Sequence, residues 1–383
     1  MFLDRRTLGI RSSALVVFVT AIGLAAAGTP PPPPPADPGP PVIGSFTVAA
    51  ARTEAPVTAV YSWYISDPNP DLLTCRIDVD TNGTYERTIT PCTPSSLAIA
   101  NFTTAGTRTA TLEVSDGVFP PVVATTALTV SAGPSETFDI TIRVDSAMAP
   151  EFRAAFTAAE LRWEQVIAAG VPDQYAELGP IPFDWVPAFA GVIDDLMIDA
   201  RDTDLGGVGG LLGRAGAFGN RTYGGLPYWG IMEFDTADLQ QLYDDGELNA
   251  VILHEMGHVL GIGGPWITGG LLTDLLTDPR YTGAAGNAVW QELGGTGRVP
   301  VESGGGIGTQ WVHWRESTFR NELMTGYLSS PPNPLSRLTI AALADIGYGV
   351  DLSQADPYAL PPGSSLRTSG ALPRKIEVER IGL

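Results

Sequence analysis

Residues 247–260 read ELNAVILHEMGHVL and are followed by Gly261. The stretch has no proline, and a glycine stands where a helix stop is expected, so it is predicted to be a helix. Within it lies His254-Glu255-Met256-Gly257-His258. Residues four apart share a helix face, so both imidazoles can reach one metal ion. Glu255, one residue on, can lean toward a water on that ion. The bland alternative is two surface histidines on an ordinary helix. It leaves unexplained why a chain with three histidines places two of them four apart around a Glu.

Two imidazoles leave zinc short, because a catalytic zinc takes three protein ligands and a water. Some families supply Glu or Asp; another group uses a third His in H-E-x-x-H-x-x-G-x-x-H. Gly261 holds the glycine position of that longer motif, but three residues on stands Gly264. The remaining histidine is His313, beyond a long Gly-rich insertion. Soon after it comes Asn321-Glu-Leu-Met-Thr-Gly326, a methionine in a predicted tight turn, and then a predicted helix, Leu335 to Ile346, with Gly347 as its stop.

Upstream, Ser131-Ala-Gly-Pro-Ser135 reads as a linker. Phe138, Ile140, Ile142 and Val144 alternate as in a strand. Pro150 opens a helix that places Phe152, Phe156, Ala159, Trp163 and Ile167 on one face, with Gly170 as its stop. A strand-like segment follows through Val192 to Ile198. The run Gly206 to Gly219 reads as loop; it has no P-loop lysine, since Lys375 is the lone lysine of the chain. Ile231 to Phe234 reads as a strand, either the sheet edge that receives an extended peptide or an interior strand. Asp194, Asp195, Asp199, Asp202 and Asp204 are either solvated loop charge or a structural Ca²⁺ site.

The first third has a different texture. Arg5, Arg6 and Arg11 precede ALVVFVTAIGLAAA, residues 14–27. This run falls short of the roughly 20 residues of a bilayer span and reads as a signal peptide, 1–27, cleaved after small residues. Left uncleaved, it would be the chain's one membrane contact. Residues 28–41 are proline-rich and predicted to be an extended spacer. Short alternating runs from 42 to 132, with the hairpin signal Asn82-Gly83, predict a β-sandwich. Asp78-Val-Asp-Thr-Asn-Gly83 matches the first half of a calcium loop, but Ile89 stands where an EF-hand needs Glu, so hairpin turn and calcium loop both stay open. Cys75 and Cys92 are expected to pair in an oxidising compartment, a loop closure contributing roughly 3 kcal/mol; two free thiols are the alternative.

A chain of 383 residues suggests two domains, and 44% hydrophobic residues exclude a disordered chain. A net charge of -20 argues against a nucleic-acid partner, which needs clustered cations.

The region around these motifs resembles the leishmanolysin family of metzincin zinc endopeptidases in its shorter bacterial form. The resemblance rests on His254 to Gly261, a long insertion, His313 followed by Trp314, the Met-turn Glu322 to Gly326, and the helix ending at Gly347. Leu212 to Gly216 and Ile231 to Asp235 are also similar, and the likeness extends over 137–350. Residues 109–117, TATLEVSDG, resemble a strand of PKD or cadherin-like modules. Unlike the protozoan members, residues 137–351 contain no cysteine, and the cysteine-switch propeptide is missing.

The resemblance implies an α+β chain: a zincin catalytic domain (137–351) with a twisted sheet, long helices and an irregular C-terminal half, preceded by an all-β sandwich (42–132) and followed by a tail, 352–383. It implies one catalytic Zn²⁺ on His254, His258 and His313, Glu255 as general base, and Met324 as a hydrophobic floor, a role hard to tell from a plain core methionine. Tyr327 follows Met324 by three residues, not two, so no metal role is carried onto it. The expected activity is hydrolysis of peptides or proteins outside the cytoplasm: secreted, periplasmic or at a bacterial cell surface. The rival expectation is an extracellular adhesion or binding protein with a relic zinc site. Glu255 discriminates, since a relic has no chemical need for it.

Overall fold

A computed structural model describes residues 39–68, 72–179, 183–222, 224–306, 308–361 and 374–375. The expected signal peptide, most of the proline-rich spacer and most of the tail after residue 361 lie outside these residues. The chain is mixed α+β, richer in strands than in helices.

Seven antiparallel strands come first: β1 (Val42–Ala50), β2 (Val57–Ser66), β3 (Thr74–Asp78), β4 (Arg87–Ile89), β5 (Ser95–Phe102), β6 (Gly106–Ser115) and β7 (Val122–Val130). They form two sheets, β1-β2-β5 and β4-β3-β6-β7. Alternation buries Ala110, Leu112 and Val114 of β6, which with Ile77 of the same sheet share a core with Tyr61 and Trp63 of β2. Cys75 and Cys92 are joined by a disulfide, with their Cα atoms 5.5 Å apart. The link ties β3 to the segment before β5, within the range such bridges need. Asn82 and Gly83 lie in the connection between the paired strands β3 and β4, which wraps around the Asp78 carboxylate.

The predicted linker is pinned to the sandwich. Ala55 N–H donates to Ser131 O and Ser131 N–H to Thr53 O. At Gly133 a Cβ would collide with the Ala55 carbonyl, so only glycine fits that crossing.

Beyond it come β8 (Ile140–Val144), α1 (Pro150–Val166), β9 (Gln174–Leu178), β10 (Phe189–Ile193), β11 (Leu196–Thr203), β12 (Gly213–Asn220) and β13 (Pro227–Asp235). The main sheet has the order β12-β13-β11-β8. β8, β11 and β13 run parallel, and β12 is an antiparallel edge. Three expectations are corrected here. Ile231 to Phe234 is interior, bonded on both sides. The segment Val192 to Ile198 is two strands broken at Asp194-Asp195, a corner held by the buried Arg221 guanidinium, which donates to both aspartate carbonyls. And the glycine run is loop only to Leu212; from Gly213 it is the edge strand, its glycines admitting close neighbours such as the Tyr228 ring at Gly219.

α1 ends at Val166, four residues before Gly170, because Ile167 turns extended and bridges to Val350. Its Ala155, Phe156, Ala159 and Trp163 are buried. The remaining elements are α2 (Leu239–Asp244), α3 (Leu248–Val259), α4 (Gly264–Thr268), β14 (Leu272–Thr273), β15 (Arg280–Tyr281), α5 (Ala284–Glu292), β16 (Val299–Pro300), α6 (Glu316–Phe319), β17 (Tyr327–Leu328), α7 (Arg337–Ile346) and β18 (Arg374–Lys375). α3 lies against α1, with Trp163 Nε1–H donating to Leu253 O at 3.0 Å. One continuous core joins α1, α3, α5, α7 and the sheet, and it also takes in Val60 and Ile99 of the sandwich. Among the described residues no helix is long and apolar enough to cross a membrane.

Candidate metal centre

α3 carries His254 and His258 one turn apart. The helix ends in a two-bond glycine cap: Gly261 N–H donates to His258 O, and Ile262 N–H to Gly257 O. Gly261 has φ 110°, a conformation that favours glycine. This cap turns the Ile262 carbonyl back onto His258, whose Nδ1 lies 2.8 Å from it. His254 Nδ1 meets Leu323 O at 2.7 Å, and His313 Nδ1 meets Thr309 O at 3.0 Å.

Those three contacts fix the tautomers. A carbonyl oxygen only accepts, so each Nδ1 carries the proton. In the neutral ring each Nε2 then holds a lone pair. The three Nε2 atoms stand 3.0, 3.1 and 3.1 Å apart with no hydrogen to share among them. Three lone pairs converging at that distance repel unless a cation sits between them. Zinc held tetrahedrally at about 2.0 Å from each nitrogen would set them about 3.3 Å apart. The donor set therefore fits zinc with a small opening of the triangle. Burial holds all three imidazoles below their usual range, His254 at about 3, His313 at about 4 and His258 well below, with the neighbouring rings adding to it at His254 and His258. They are neutral at pH 7, as ligands must be.

Glu255 is completely buried, and neither carboxylate oxygen has a protein partner. Burial alone pushes its carboxyl well above the usual range. A Cβ on Gly213, the first residue of the edge strand, would stand 3.2 Å from Glu255 Oε1, so β12 begins directly against this carboxyl. Met324 is buried, and a Cβ on Gly257 would lie 3.0 Å from its sulfur and 3.1 Å from the Trp163 ring. The helical glycine between the two histidines is thus a space requirement. It admits the thioether against the helix beside the two histidines.

The five site residues of the second half, His254, Glu255, His258, His313 and Met324, come together around α3. The cysteines lie in the sandwich and play no part in the centre. The Asp194–Asp204 carboxylates do not form a group able to share one ion. Among the described residues two such groups exist, the histidines and Asp78, Asp80 and Glu86. Asp195 instead accepts from the Asp139 and Val171 N–H groups, and Asp199 binds Arg143 and Trp229. In the β3–β4 connection, Asp78 accepts from the Asp80, Asn82 and Gly83 N–H groups.

Sequence reading missed Gly213 and the buried Glu322. A signal existed for the second: a Glu inside an apolar turn, upstream of the Ser336 and Thr339 pair that opens α7.

Comparison with protein-family models and with curated proteins gives no match. Among solved structures, the chain is similar to a PKD domain of an M14-like peptidase from a Thermoplasmatales archaeon. Identity is 19%, the TM-score is 0.20, and the match covers 24% of this chain and 96% of that one. It is a likeness over a short part of the chain and carries no function across.

Proposed function

We propose that this chain is a secreted zinc-dependent endopeptidase of the metzincin type, similar to bacterial leishmanolysin-like enzymes. One observation carries the reading: three imidazole lone pairs converge while every Nδ1 is committed to a carbonyl, with an unpartnered buried carboxyl on the same helix. A structural zinc site closes its fourth position with a protein ligand. Here no fourth His, Cys, Asp or Glu joins the three among the described residues.

A zinc ion bound there would supply Lewis acidity, lowering the pKa of a bound water to about 7 and polarising a carbonyl oxygen. His254, His258 and His313 hold it, and their carbonyl partners keep the rings oriented. Glu255 takes the proton of the water whose oxygen bonds to the peptide carbon, then gives it to the amine nitrogen as the C–N bond breaks. The partnerless oxygens of Glu255 leave it free for both transfers. The outer edge of β12, starting beside Glu255, would offer backbone N–H and C=O groups to an extended peptide, as β-augmentation requires. The disulfide and the N-terminal apolar run support a site of action outside the cytoplasm.

Zinc analysis and casein hydrolysis test this together. The expected result is about one zinc per chain and cleavage abolished by a zinc chelator. A zinc-loaded protein inert toward casein and unstructured peptides would favour the adhesion reading.

A further inference from the structure

Supports of two of the three histidines lead back to one carboxylate. Glu322 is 1% exposed. Its Oε2 accepts the Met324 N–H at 2.6 Å. Its Oε1 accepts the Ser336 hydroxyl at 2.6 Å, the Thr339 hydroxyl at 2.5 Å and the Ser336 N–H at 3.3 Å. One oxygen thus holds the 322–325 turn and the other holds the start of α7. Between Glu322 and Met324 lies Leu323, whose carbonyl orients His254. Thr339 Oγ1, while donating to Glu322, accepts Trp314 Nε1–H at 2.9 Å. Trp314 follows His313, and its N–H donates to Met324 O at 3.0 Å.

We propose that Glu322 is a positioning residue for the metal centre: its carboxylate clamps the Met324 turn to the α7 N-terminus and so sets the orientation of His254 and His313. This rests on the metal-binding reading above. Burying a carboxylate costs desolvation that its hydrogen bonds serve to offset, so its presence here is weak evidence for a role in stability alone. What a carboxylate adds is two acceptor oxygens on opposite sides, which fix a turn and a helix at once. Groups that orient a metal's histidines typically matter about 10–100-fold in metal affinity.

The test compares zinc affinity by chelator competition, and the absorption bands of cobalt-substituted protein, for wild type, Glu322→Gln, Thr339→Val and Asp345→Asn. Asp345 is the control: it is a partly buried carboxyl on α7, the helix of Thr339, that bonds Tyr281 and α5, not the Met324 turn. Glu322→Gln and Thr339→Val should bind zinc about 10–100-fold more weakly and shift the cobalt bands, while Asp345→Asn should have neither effect. Zinc affinity within about threefold of wild type, with superposable cobalt spectra, would overturn the proposal and leave Glu322 a structural cap. If Glu322→Gln does not fold, Thr339→Val decides by the same two readings. A wild-type chain that binds no zinc would overturn the proposed function itself, an outcome distinct from loss of the positioning role alone.

Discussion

At the residue scale the pairing of His254 and His258 was legible in the chain, because spacing on a helix is a local property. His254 and His258 are one turn apart in any helix. Their third partner was legible only because histidine is so scarce, and the carbonyls that orient all three come from caps and turns that spacing does not reveal. His313→Ala should lose most of its zinc; unchanged metal content would remove it from the ligand set. Glu255→Ala should keep zinc and fold while peptide hydrolysis drops about 10²–10⁴-fold or more, as expected for loss of a general base. Hydrolysis near the wild-type rate would rule out that role. Gly257 was invisible as a requirement. Alanine is the better helix former by about 1 kcal/mol, but its methyl would press on Met324 and Trp163. Overpacking of that kind costs about 1–3 kcal/mol. Gly257→Ala should therefore be destabilising in urea unfolding despite its helix propensity, and a stabilised variant would show that the Met324 side chain moves aside freely.

At the scale of elements, α1, α3 and α7 were legible in the sequence, while α2, α4, α5 and α6 were not. Periodicity, Pro150 at the start of α1 and Gly347 after α7 marked those helices within a few residues. β12 was misread because its glycines look like loop, and their reason for being there is the side chains of other elements. No single sequence states which strand is the edge, since that depends on long-range pairing. The α5–α7 contact is another feature of this kind. Asp345, in the last turn of α7, accepts the N–H groups of Ala285 and Gly286 and the Tyr281 hydroxyl. Burial outweighs these bonds and pushes its carboxyl up to about 6. The folded chain then keeps a proton that the unfolded chain releases near pH 4. Stability from this group is full below about pH 4 and is lost as pH rises through about 6, a swing of about 2–3 kcal/mol. The stability of wild type relative to Asp345→Asn should fall by that amount between pH 4 and 6. A difference that stays flat across the window would mean that the hydrogen bonds outweigh burial.

At the scale of the whole molecule, the alternating runs predicted a β-rich first third, and the texture change near Ser131 suggested two independent cores. The contacts describe a tighter relation. Leu97 N–H of β5 donates to Gln291 Oε1 of α5, and Asn101 Nδ2 donates to Val350 O. Arg87 and Arg337 share Glu292 across the same seam. Val60 and Ile99 belong to the core that surrounds α3, not to the sandwich's own. Such docking is hidden from sequence because Ile99 alternates like any strand residue; nothing local says which core it enters. It makes a specific demand on unfolding. If the seam couples the two parts, Ile99→Ala should cost about 2–4 kcal/mol, as deletion of a buried isoleucine does, and the loss should appear in the half that carries the three histidines as well as in the sandwich. Heating should then give one cooperative transition, with zinc release and loss of sandwich structure at a common midpoint that Ile99→Ala lowers for both. Independent cores give a different result: two transitions, of which the substitution moves the sandwich's alone. A fragment of residues 137–383 sharpens the comparison, because it exposes the α5 face that β5 covers. It should melt well below the full chain while still cleaving a short unstructured peptide, since every residue assigned to the chemistry lies within it. A fragment as stable as the full chain would show that the seam contributes little and that the two parts are merely adjacent.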